Sequence, residues 1–167
     1  ISALVKKATD EGIIWINAAG NDRSHVYNGM VSELTSPRSL RFENRQPGAQ
    51  VSVHLSWSGF TDDENFATDK DLDLFVYNAQ RQLVASSQLV QRGESRPKTP
   101  VAPGSPALSG YARETVTLKN LPVGMYEIQV VKKSETFLPT DRYRVLVQSD
   151  RWDQLFLYDR TEGMEVM

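Results

Sequence analysis

From about Gln50 onward, apolar side chains recur at every second position. Val51, Val53, Leu55 and Trp57 alternate with Ser52, His54 and Ser56, the period of a strand with one face buried and the other in water. The alternation returns at Leu72/Leu74/Val76, Val116/Leu118, Tyr126/Ile128/Val130, Tyr143/Val145/Val147 and Leu155/Leu157. A lone sheet cannot hide such faces. Short strands separated by turn residues such as Asn120-Leu121-Pro122-Val123-Gly124 therefore predict two antiparallel sheets face to face, a mainly β fold of the jelly-roll β-sandwich type.

The first residues follow a different pattern. Leu4, Val5 and Ala8 fall at helical spacing, Gly12 stands where a left-handed cap would end that helix, and Ile13–Asn17 reads as a strand covered on both faces. A helix feeding such a strand is half of a β/α repeat, and no second unit follows. The chain is expected to divide at about 1–30, 31–150 and 151–167, the last stretch being a strand or a linker. A strand built for parallel neighbours and lacking them is expected to pack on the sandwich, to pair with a second copy through Ile13–Ile16, or to be poorly ordered.

Composition narrows the chemistry. With Lys+Arg 19 against Asp+Glu 21 in 167 residues, the formal charge is −2, and no basic cluster offers a nucleic-acid surface. No apolar run is long enough to span a membrane. The absence of cysteine removes disulfides and thiolate chemistry. The opening at Ile1 without an initiator methionine suggests a piece of a longer protein. Between Gln91 and Arg113 lie half of the eight prolines, which predicts a long surface loop between two strands.

Oxygen ligands concentrate in "GFTDDENFATDKDLD", residues 59–73. Calcium accepts six to eight flexible oxygens, and Asp71 and Asp73 of an extended strand share a face that Asp69 would join from the preceding loop. Asp62 and Asp63 are further candidates. The EF-hand spacing is absent, so a solvated acidic loop pairing with Arg113, Arg142 or Arg144 is the plain alternative. On the same strand, Phe75 and Tyr77 are expected to face outward, as a contact patch for another domain, a sugar or a protein, or beneath a loop.

"KKATDEGIIWINAAGN" resembles the subtilisin-like serine peptidases, in which an asparagine after such a strand donates to the oxyanion. "DLDLFVYN", "LVASS" and "LPVGMYEIQV" are similar to the jelly-roll module often called the pre-peptidase C-terminal-like domain, which in one group of subtilases is inserted just after that asparagine. The resemblance implies a secreted, cell-surface or periplasmic serine endopeptidase acting on protein or peptide. Residues 1–30 would then come from its α/β catalytic domain, with Asn21 as the oxyanion donor, and the inserted sandwich would govern substrate access, stability or binding. Related modules bind calcium, which points to the same acidic residues, and the place of Glu114 before the "TVTL" strand resembles an acidic position of the module, where it would complete a site or cap the sheet.

The motifs of a catalytic Asp, His and Ser are missing, and His25 and His54 stand in no catalytic context, so the chain alone is expected to be inert. A non-enzymatic calcium- or ligand-binding sandwich is the competing reading. The "NAAG" of short-chain dehydrogenases fails because no tyrosine is followed by lysine four residues on.

Overall fold

The computed structural model describes residues 2–13, 25–34, 38–59, 67–93 and 109–159. Helix α1 (Ser2–Asp10) ends as its glycine predicts. Gly12 has φ +79°, and a Schellman motif closes the last turn: the Gly12 N–H donates to Thr9 O at 3.0 Å and the Ile13 N–H to Ala8 O at 2.9 Å. Ile14–Asn17, the rest of the expected strand, lies outside the described residues, as does Asn21.

Among the described residues nine strands follow: β1 (Val26–Met30), β2 (Arg38–Asn44), β3 (Ala49–Trp57), β4 (Leu72–Asn78), β5 (Leu83–Ser87), β6 (Arg113–Leu121), β7 (Gly124–Lys132), β8 (Arg142–Ser149) and β9 (Leu155–Asp159). They form one sheet in the order β1-β8-β3-β6 and another in the order β5-β4-β7-β2-β9, and every pairing is antiparallel. The order 1-8-3-6 facing 5-4-7-2 is the jelly-roll winding, with β9 added beside β2. β1 and β9 belong to these sheets, so the sandwich takes in residues on both sides of the 31–150 span expected for it.

The period-2 positions carry the core. Val51, Val53 and Leu55 of β3 and Val145 and Val147 of β8 are fully buried, facing Leu72, Leu74 and Val76 of β4 from the other sheet. On β2, Phe42 stacks on Tyr126 of β7, ring centroids 5.1 Å apart at 14°. β1 survives with a weak strand sequence because of a close approach: Gly29 pairs with Tyr143, and a Cβ there would lie 2.7 Å from that ring's Cε1.

One corner is latched by a neutral group. Asn44, 1 % exposed, donates from Nδ2 to the carbonyls of Gln46, Leu121 and Pro122 at 2.8, 3.1 and 2.9 Å and accepts the Gln46 N–H at Oδ1. The Tyr126 hydroxyl also donates to Pro122 O, so the β6–β7 turn is fixed from two sides.

Deleting the Phe42 ring leaves a cavity under Tyr126 at the centre of the second sheet. Phe42→Ala should lower the unfolding free energy by about 3–5 kcal/mol. Ser52→Ala, on the outer face of β3, should stay within roughly 0.5 kcal/mol. Urea denaturation of both variants checks this.

Candidate functional site

At the end of the sandwich opposite Asn44, an acid occupies a core position. The alternation of β6 turns Glu114, Val116 and Leu118 inward, and Glu114 is 1 % exposed. Its Oε2 accepts from the Ser87 hydroxyl on β5, and its Oε1 accepts the Leu89 N–H at 3.0 Å and Gln91 Nε2 at 3.1 Å. Burial raises the Glu114 pKa above the ordinary carboxylate value while these donors oppose the shift. The residue therefore ties β6 of one sheet to β5 and its continuation in the other.

That continuation is held by a braid of loop backbone. The Ser109 N–H donates to Val90 O at 3.0 Å, the Gly93 N–H to Thr68 O at 3.0 Å, and the Thr68 N–H to Gly110 O at 3.1 Å. Residues 67–70 are fixed in turn by the Trp57 indole N–H on Lys70 O at 2.8 Å and by the Lys70–Asp141 ion pair at 2.7 Å. The Asp71 N–H donates to Ser134 Oγ at 2.9 Å, and Asp71 O accepts the Lys133 N–H at 2.9 Å. A rigid surround thus presents Asp71 at the mouth of β4.

Asp71 and Asp73 are both buried, 8 % and 4 % exposed. The Asp71 pKa is pushed up to about 6, first by burial and then by the charge of Asp73, against a hydrogen bond from the Gln91 backbone and the fields of Lys133 and Arg92. Burial also raises the Asp73 pKa, opposed by Lys133, whose Nζ lies 3.5 Å from Oδ2 with a half-exposed side chain. Asp71 Oδ1 and Gln91 Oε1 are buried and have no hydrogen-bond partner. Three carboxyls share this end of the sandwich with Lys133 and Arg92, and two buried oxygens there lack donors.

The structure brings Asp71, Asp73 and Glu114 into one electrostatic cluster. Asp69 is exposed and contributes its carbonyl, which accepts Thr136 Oγ1 at 3.0 Å. Asp62 and Asp63 lie outside the described residues. Among the described residues, no three His, Asp or Glu side chains converge tightly enough to hold a metal by themselves. Any cation here needs amide and backbone oxygens as well. Gln91 was hidden in the sequence by the proline-rich segment that it opens, and only the demand of a buried Glu114 for donors could have revealed it.

His25 is buried, with Nε2 donating to Leu155 O at 2.9 Å, and so joins β1 to β9. His54 Nδ1 pairs with Thr115 Oγ1 at 3.2 Å on the outer face of β3. Both serve the sheets, as their sequence context predicts. Ile13 is 54 % exposed, and Ile14–Ile16, the other residues proposed for self-association, lie outside the described residues.

Fold and cluster together define an antiparallel jelly-roll sandwich with a buried carboxylate cluster at one end. No family model matches the chain. No curated protein matches it either. Among solved structures, it is similar to the infectious bursal disease virus VP2 subviral particle, at 7 % identity and a TM-score of 0.29, over 89 % of this chain and 33 % of that one. The chain spans about a third of that protein, and nothing about function follows from the likeness.

A carboxyl with a raised folded-state pKa favours folding while it is protonated, and that contribution is lost as pH rises through the folded value. For Asp71 this window runs from about 4 to about 6. In the absence of divalent ions, urea stability should fall from pH 5 to pH 8. Asp71→Asn should flatten that fall and gain about 1 kcal/mol at pH 8, a figure discounted for solvent screening.

Proposed function

We propose that the chain is a non-enzymatic jelly-roll module that binds calcium at the entrance of β4. The observation that carries this reading is the pair of buried acceptors, Asp71 Oδ1 and Gln91 Oε1, left without donors beside the carboxyls of Asp73 and Glu114. Each such oxygen costs about 1–3 kcal/mol unless something satisfies it. A divalent cation would satisfy both. Calcium suits the donor set because it tolerates irregular geometry and accepts carboxylate, amide and backbone oxygens together.

Asp71 and Gln91 would hold the ion directly, with Asp73 adding charge beside it. Glu114, whose two oxygens already accept from Ser87, Leu89 and Gln91, would act by keeping Gln91 in place. Asp62, Asp63 and Asp69 remain candidate ligands from the preceding segment. The ion would fasten residues 67–71 to the strand behind them.

A second reading places this module in a secreted subtilisin-like endopeptidase. The order of sequence motifs favours it, and so does helix α1, which ends through Gly12 just ahead of Ile13, as the resemblance requires before the strand leading to Asn21. In such a parent, the Asn21 amide would donate to the oxyanion of a peptide bond under attack. Asp and His motifs encoded upstream of this segment and a "GTS" motif downstream would support that reading, and their absence would remove it.

Titration calorimetry with calcium chloride should give saturable heat. At about one hundred times the dissociation constant, the ion should add about 2.7 kcal/mol to stability. Asp71→Asn should abolish both effects. No heat together with an unchanged melting temperature would end the calcium assignment.

A further inference from the structure

The outer face of the five-stranded sheet carries an unusual row. Tyr77 of β4 lies opposite Glu127 of β7, Glu127 opposite Arg41 of β2, and Arg41 opposite Tyr158 of β9. The row spans three strand spacings, about 14 Å. All four side chains are half-buried, although they face away from the core. Two residues back from Tyr77, on the same face, Phe75 stacks beside it, centroids 6.5 Å apart at 24°.

Beside this row is a hollow of about 330 Å³ lined by Tyr77, Arg81, Glu127 and Gln129. Its floor is set, because Gln129 Nε2 donates to Glu127 Oε1 at 2.8 Å. Its rim is set as well. Arg81 sits at φ +58°, a conformation uncommon for a residue with a side chain, in a turn that Asn78 holds: Asn78 O accepts the Arg81 N–H at 2.9 Å, and Asn78 Oδ1 accepts the N–H groups of Gln80 and Gln82 at 3.0 and 2.9 Å. The β4–β5 register shifts between Val76 and Tyr77, the kind of irregularity that re-aims a side chain. Within the row, Arg41 Nε is buried and has no hydrogen-bond partner.

We propose that this face binds a saccharide, with a sugar ring laid against Tyr77 and Phe75 and its hydroxyls reaching Glu127, Gln129, Arg81 and Arg41. The chemistry selects this class of ligand. An aromatic face asks for an apolar surface, whereas a carboxylate, an amide and two guanidinium groups in the row and the hollow beside it ask for a partner that both donates and accepts hydrogen bonds. A hydroxyl does both, and a pyranose combines such hydroxyls with a C–H face. A proline-rich peptide would also stack on the rings but offers too few donors for Glu127.

The site is remote in mechanism from the carboxylate cluster, so the two proposals can fail separately. The test is affinity electrophoresis of the whole chain through gels containing β-glucan, xylan, galactomannan, glycogen or a uronic-acid polymer, each with and without chelator. A (Pro-Pro-Gly) peptide is titrated in parallel. At least one polysaccharide should retard the protein, with or without chelator. Tyr77→Ala should weaken that binding roughly tenfold or more, while Tyr77→Trp retains it. Glu127→Gln should weaken it with the melting temperature unchanged. No retardation in any gel, retardation indifferent to both Tyr77→Ala and Glu127→Gln, or binding of the peptide alone would overturn the proposal.

Discussion

The buried carboxylate of Glu114 is the constraint around which one end of this sandwich is arranged. A jelly roll leaves its sheets free at the edges, and here the edge strands β5 and β6 are drawn together by one acid that accepts from Ser87, Leu89 and Gln91. Removing a carboxylate from water is costly, and the cost is offset only because every lone-pair direction in use meets a donor. The geometry cascades from there. Gln91 is held by Glu114, its backbone bonds the Asp71 carboxyl, and Asp71 stands at the point where chain enters β4.

The opposite end shows what a purely structural latch looks like. Asn44 is as deeply buried as Glu114, but it is neutral and its amide is consumed, three carbonyls on the nitrogen and one N–H on the oxygen. At the Glu114 end, the bonds run out before the polar atoms do. Asp71 Oδ1 and Gln91 Oε1 remain. Under the calcium proposal, the ion is what completes the second corner.

The sequence made the core legible wherever alternation was strong: β3, β4, β6, β7, β8 and β9 are set by period-2 runs of apolar residues. β1 and β2 were harder to see. "VYNGM" has a glycine where a strand former would be expected, and only the ring of Tyr143 pressing on Gly29 explains the choice, a contact separated by more than a hundred residues in sequence. β2 hides Leu40 and Phe42 beside Arg41 and Glu43, which alternate with them onto the outer face. The acidic pair Asp71 and Asp73 was visible as a same-face pair, whereas its burial was not, because the loops that cover it carry no periodic signal. Asn21, Asp62 and Asp63 lie outside the described residues.

The cluster and the outer face share strand β4, which raises the question of coupling. Coupling needs an element with two arrangements that both ligands bias. From Leu74 to Tyr77, β4 is paired on both sides, to β5 and to β7, and its inward residues are fully buried, so its backbone has no second arrangement of comparable energy. Asp71 precedes the ladder, in backbone braced by Ser134, Lys133 and Trp57 through Lys70. An ion there would tighten residues 67–71 and leave the pitch of Phe75 and Tyr77 as it is. The same ladder that holds two dissimilar surfaces in register therefore insulates one from the other.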